Sequence, residues 1–424
     1  MNKLKVFFLF LSLIALYGCS STKKLSSRNL SFIYQNEKNS IRANFGVYHK
    51  DAVNSELQFS INSTDLLYAK NLENNDFVAK VGVSYMLMKS YDENTIVDSA
   101  TIWLTDTNNE KLPKIIYGKV PLKIAYPNKS ILVVTVKDAI KKKEEQRLVV
   151  VNKSDFVNHQ NFMVYDTKTN LPILNRYFTK GDAVGLKYQY KSLHKIYVEY
   201  FNREFDLPAP PFSNQNPKKF DYSPDSTFTI EVEDSSSFEF KMANKGFYIF
   251  KTFKSARDGI TLFCFDDNFP NVKTPEDMIE PIRYISSNKE YQTILETENT
   301  KQAIDNFWLD IAETPNEARV LIKNYYHRIE ECNRYFSSYL PGWKTDRGMI
   351  FTIFGPPNVI YKDDITETWI FGDENTPLSL TFYFLKVDNP FTDNDFRLTR
   401  SPIFKNPWYG MVDRWRKGKI VDQY

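Results

Sequence analysis

Glycine is scarce, with 14 in 424 residues against a usual share of about 7%. No two glycines stand as G-x-G or G-x-x-x-x-G, so both Gly-rich loops that cradle phosphates are excluded. His49, His159, His194 and His327 are far apart and none sits in H-E-x-x-H, so neither a metal nor a cofactor is expected. Cysteine numbers three, too few for a disulfide framework. Cys264, in the strand-like run Leu262-Phe263-Cys264-Phe265, and Cys332, in a helical stretch, are expected as buried thiols rather than a bridge. Neither charge sign dominates, with 55 Lys plus Arg against 52 Asp plus Glu, which removes the electrostatic case for nucleic acid. The 42% hydrophobic and 25% charged fractions exclude wholesale disorder and a polytopic membrane protein. The length predicts two to four domains, each able to bury a core.

Aromatics are abundant, with 33 Phe, 26 Tyr and 6 Trp, and such rings favour pleated, half-buried surfaces and contact faces. The N-terminus has a different character. Lys3 and Lys5 precede an apolar run from Val6 to Leu16, then Tyr17, Gly18 and Cys19. That order is a signal peptide over residues 1–18, its core too short to cross a membrane. A small residue before Cys resembles the site where bacterial lipoproteins are diacylated and cleaved. Cys19 is therefore expected to become a lipidated first residue, with 19–28 a linker. Acyl chains anchor firmly, at about 0.8 kcal/mol per buried CH₂. Ser20 in place of Asp resembles the outer-membrane sorting pattern of Gram-negative bacteria. The stretch that follows, ending in Lys23 and Lys24, is basic rather than acidic, which favours a periplasm-facing protein over a surface-exposed one.

From about Asn29 to Lys153, short alternating runs are bounded by Asn, Asp, Gly or Pro: Leu57–Ile61, Phe77–Met88, Thr101–Leu104, Ile115–Val120 and Ile131–Val136. This spacing predicts an antiparallel, Ig-like β-sandwich over 29–153. Runs at Phe162–Tyr165, Ala183–Tyr190, Lys195–Phe201, Phe228–Val232, Ser237–Lys241 and Gly246–Phe253 predict a second over 154–258, interrupted by a Pro-rich loop from Asp206. From Thr274 the period becomes helical. Thr274-Pro275-Glu276-Asp277, Ser287 with Glu290, and Thr314-Pro315 with Glu317 are helix starts. Ala318, Leu321, Ile322, Tyr325, Ile329, Cys332 and Phe336 form one apolar stripe. A helical segment over 259–340 follows, stopped at Pro341-Gly342.

Residues 341–424 are expected as a small α+β domain, which makes the whole chain multidomain and mainly β. It opens on Gly342-Trp343-Lys344-Thr345-Asp346-Arg347-Gly348. A strand Met349–Phe354, a turn Gly355-Pro356-Pro357-Asn358, and strands at Thr368–Phe371 and Ser379–Leu385 are read after it. Here the chain resembles the GWxTD-domain family, envelope proteins frequent in Bacteroidetes. The resemblance is specific over about 270–424, includes the closing stretch from Val412 to Gly418, and brings no established reaction.

The motif reads as a structural corner. Gly342 permits a backbone that other residues resist, Trp343 anchors, and Thr345 and Asp346 accept backbone N–H bonds that fix the start of the strand. The functional alternative places Asp346, with Arg347 or with Asp363 and Asp364, in a catalytic cleft. No nucleophile motif supports it, and Asp363 and Asp364 read as solvated. Asp393 and Asp395 lack the Gly and distal Glu of a calcium loop. Trp408, Tyr409, Trp415 and Arg416 either cap the domain or contact a partner. The expectation is a non-enzymatic, lipid-anchored scaffold or accessory subunit of an envelope assembly, either outer-membrane protein insertion or secretion machinery. The competing reading is an envelope hydrolase or glycan-binding protein that uses Asp346.

Overall fold

The computed structural model of the protein describes residues 24–35, 41–190, 193–215, 218–232 and 236–420. The signal peptide expected over residues 1–18 and the lipidation expected at Cys19 lie outside the described residues. No described helix is long and apolar enough to cross a membrane.

The first sandwich is made of β1 (Ala43–His49), β2 (Asn54–Asn62), β3 (Ala69–Lys70), β4 (Phe77–Met88), β5 (Ile96–Thr107), β6 (Ile115–Lys123), β7 (Asn128–Asp138) and β8 (Lys143–Lys153). One sheet has the order β1-β2-β6 and the other β3-β4-β7-β8, with β5 also paired to β4. Pleating sends alternate side chains to opposite faces. Val81, Val83, Tyr85 and Leu87 of β4 thus meet Leu57, Phe59 and Ile61 of β2 in a core between the sheets.

The second sandwich follows with β9 (Phe162–Tyr165), β10 (Tyr177–Phe178), β11 (Ala183–Tyr188), β12 (Lys195–Phe201), β13 (Ser226–Glu231), β14 (Ser237–Lys241), β15 (Gly246–Lys251) and β16 (Ile260–Cys264). Its sheets run β10-β16-β15-β12-β13 and β14-β11-β9. The strand β16, which contains most of the strand-like run around Cys264, lies past the end expected at 258 and is buried at every position, so no polar alternation ties it to the sandwich in sequence.

The remainder contains α1 (Pro275–Ile279), α2 (Asn288–Glu296), α3 (Thr300–Ile311), α4 (Pro315–Phe336), α5 (Asp346–Phe354), β17 (Val359–Lys362), β18 (Thr366–Phe371), β19 (Leu380–Lys386), β20 (Phe396–Leu398) and α6 (Lys405–Arg416). The last four strands form an antiparallel sheet in chain order. Thr274, Ser287 and Thr314 each close a capping box as their sequences imply. The run Met349–Phe354, expected as a strand, is the body of α5. Thr345 caps it, and Met349, Ile350, Phe351 and Ile353 are all buried. A helix enclosed on every side shows no amphipathic period and reads like a buried strand.

The boundaries expected between a linker, a helical segment and a C-terminal domain fall inside one core. Leu25, Leu30, Ile33 and Tyr34 pack with Trp308, Tyr325, Phe336, Trp343, Trp369 and Trp415, and Met88, Ile131 and Val133 of the first sandwich join them. Residues 24–28, expected as linker, belong to this body.

Candidate functional site

The motif sits where α4, a single 3-10 turn at Gly342–Lys344 and the first turn of α5 cross. A Cβ on Gly342 would lie 1.8 Å from the Cys332 carbonyl oxygen, and one on Gly348 would lie 2.0 Å from that of Gly342. Both glycines are therefore required by close backbone approach. The Ser337 hydroxyl accepts from Gly342 N–H at 2.9 Å, and Tyr284 O–H donates to the Trp343 carbonyl at 2.8 Å. The Trp343 ring meets Tyr284 edge to face. The Thr345 hydroxyl donates to the Gly342 carbonyl at 2.7 Å and accepts from Gly348 N–H at 2.9 Å. The motif thus fixes the start of a helix, where the sequence reading placed a strand.

Asp346 is the first residue of α5, where a negative charge is favoured by the helix dipole. Its carboxylate accepts from Leu398 N–H at 2.8 Å and pairs with Arg400. It therefore binds the start of α5 to the end of β20. The next side chain, Arg347, is 1% exposed and donates to Tyr34 Oη at 3.1 Å, Glu367 Oε2 at 3.2 Å and the Asn394 carbonyl at 3.0 Å. Its guanidinium also lies over the Phe396 ring at 4.2 Å. Glu367 accepts from Lys362 and from Trp369 Nε1 as well. Burial pushes the Glu367 carboxyl up, but the Lys362 and Arg347 charges outweigh it and hold the group at about 2.

The Pro-rich stretch belongs to the long connection between β12 and β13 and packs over the motif. Arg400 donates to the Ala209 carbonyl at 3.0 Å, Ser401 N–H to that of Pro211 at 3.0 Å, and Phe212 packs on Tyr409. Between this strap and the motif runs a cleft of about 580 Å³, lined by Phe205, Phe220, Tyr339, Asp346, Asp395 and Arg397 among others. Burial raises the Asp395 carboxyl above its usual range, and Tyr339 O–H and Asn389 donate to it at 3.4 and 3.0 Å.

The structure brings Asp346 to the cleft but commits it to Arg400, while Arg347 turns away into the core. Asp363 caps its own turn, accepting from the N–H groups of Ile365 and Thr366. Asp393 pairs with Lys386. Cys264 and Cys332 are free and buried. The C-terminal rings chiefly cap the domain. Trp408 and Trp415 are buried, Trp415 Nε1 donates to the Ile353 carbonyl at 3.1 Å, and Arg416 pairs with Glu290. Tyr409 alone of that group is exposed, at 54%. Sequence reasoning missed Tyr34, Glu367, Asn394 and Arg400, the partners that give Asp346 and Arg347 their roles. The chain separations are large, 313 residues for Tyr34 with Arg347, and no local pattern marks them.

Residues 246–417 match the GWxTD domain family. No curated protein matches the chain. Among solved structures, the crystal structure of red sea bream transglutaminase aligns at 8% identity with a TM-score of 0.20, covering 53% of this chain and 32% of that one. So weak a likeness carries no argument about fold or activity. The family match begins at the first residue of β15, upstream of the stretch that the motif alone suggested, and it identifies residues 246–417 as a GWxTD domain.

Proposed function

We propose that this protein is a non-enzymatic lipoprotein, anchored to the outer membrane through Cys19 and facing the periplasm, that serves as a scaffold or accessory subunit of an envelope assembly. The observation that supports this reading is the use made of the motif. Its polar side chains are committed to interior bonds that tie the N-terminal segment, the strap of the second sandwich, the helices and the last sheet into one body. A motif so used shapes a rigid platform, and tandem sandwiches joined to it present extended surfaces to partners. Outer-membrane protein insertion and secretion machinery are the assemblies that suit such an anchor.

The test is purification of tagged protein from its own envelope in gentle detergent, with mass spectrometry of stoichiometric companions. Barrel-insertion or secretion components in constant ratio are the expected result. A lone monomer, together with binding to glycans or peptidoglycan, would instead favour a hydrolase or glycan-binding protein. The cleft with its raised Asp395 carboxyl is the feature that such a protein would use.

A further inference from the structure

We propose that the β4–β5 hairpin, with its exposed Ile96 and Val97, is the face this protein lays against the lipid bilayer, so that the GWxTD domain and this end of the first sandwich are membrane-proximal. The inference rests on the lipoprotein reading, since acylated Cys19 is its fixed point. Lys24 is the first described residue. Lys24 stands five residues after Cys19, and five residues at about 3.6 Å each span at most about 18 Å. The bilayer surface therefore lies within that reach of Lys24, whatever path the intervening residues take.

From Lys24 onward the chain is bonded to the body and does not act as a free tether. Leu25 and Leu30 are buried at 2% and 1% exposure. Ser26 N–H donates to the Tyr91 carbonyl at 3.0 Å and its hydroxyl to Asp92 at 2.6 Å. Leu30 N–H donates to the Ile360 carbonyl at 2.8 Å, Asn29 Oδ1 accepts from Ile360 N–H at 3.1 Å, and Tyr34 enters the Arg347 network.

Tyr91 and Asp92 lie in the hairpin turn, so these bonds hold the anchored end beside it. There Ile96 and Val97 are 53% and 51% exposed, and Lys89 pairs with Glu93 at 2.9 Å. Exposed apolar side chains at the anchored end suit the boundary between headgroups and acyl chains. β4 is twelve residues long, so its opposite end lies eleven steps away, roughly 36 Å at 3.3 Å per residue, which exceeds the reach of the tether.

The experiment uses full-length lipidated protein carrying Val97→Cys or Glu73→Cys, each labelled with a fluorophore. The proteins are reconstituted in phospholipid vesicles that bear a nitroxide on the headgroup. Both positions are exposed, whereas Cys264 and Cys332 are buried and stay unlabelled. With Cys19 acylated and the protein floating with vesicles, the label at 97 is expected to lose most of its fluorescence while the label at 73 keeps it. Equal quenching at both positions, or none at 97, overturns the orientation and leaves the lipoprotein reading standing. An unacylated N-terminal peptide, or failure to float, removes the lipoprotein reading and this inference with it.

Discussion

Asp346 carries two demands at once, an ion pair with Arg400 and the N–H of Leu398. Truncating one partner of a buried pair leaves the other uncompensated, at about 3–5 kcal/mol. Asp346→Ala is thus expected to lower the melting temperature by roughly 10 °C, measured by circular dichroism. An unchanged melting curve with a lost cellular phenotype would instead mark Asp346 as a group that acts on a ligand. Glu367 gives a pH signature. Its carboxyl is held at about 2 against an ordinary 4.5, so the folded state favours the ionised form. The stabilisation is then fully present above about pH 4.5 and is lost as pH falls toward 2. Denaturant titrations across that window are expected to show a stability slope that Glu367→Gln flattens. A slope identical in both proteins would refute the assignment.

Among the elements, the helix starts were the most legible. Capping boxes are local, three residues from hydroxyl to acid, and Thr314→Ala at the head of α4 is expected to cost about 1 kcal/mol, read from a urea titration. The helix α5 was misread because its sequence supplies no polar face, and only the surrounding core decides between helix and strand there. The strap between β12 and β13 is a further element whose role depends on distant partners. Arg400 holds it through the Ala209 carbonyl and Ser401 through that of Pro211. Arg400→Gln removes the charge from both Asp346 and the strap, so limited trypsin digestion is expected to cleave faster at Arg203, Lys218 or Lys219. An unchanged cleavage rate would show that the strap is held without Arg400.

At the scale of the molecule, the family boundary and the folding boundary do not coincide. The GWxTD match starts at Gly246, yet β15 and β16 are inner strands of the second sandwich, flanked by β12 and β10. A fragment of residues 246–424 would expose Phe247, Ile249 and Phe250 and leave β15 with an open edge. It is expected to aggregate or to show poor NMR dispersion, whereas residues 24–424 fold. A well-dispersed spectrum from the fragment would show that the C-terminal unit is autonomous. Deletion of residues 24–34 removes Leu25, Leu30, Ile33 and Tyr34 from the shared core and is expected to destabilise the GWxTD domain rather than only detach it.

By itself, the sequence determined what depends on neighbouring residues: strand periods bounded by turn residues, helix caps and the family motif. Tertiary structure decided the rest, because each remaining fact belongs to contacts across long stretches of chain. The Arg347 partners come from Tyr34, Glu367 and Asn394, and the C-terminal tryptophans turn inward against α4 and α5. The N-terminal segment became part of the core because Leu25 and Leu30 found apolar surface made by residues tens to hundreds of positions away. Burial is a property of the assembled surface, and no window of sequence contains it.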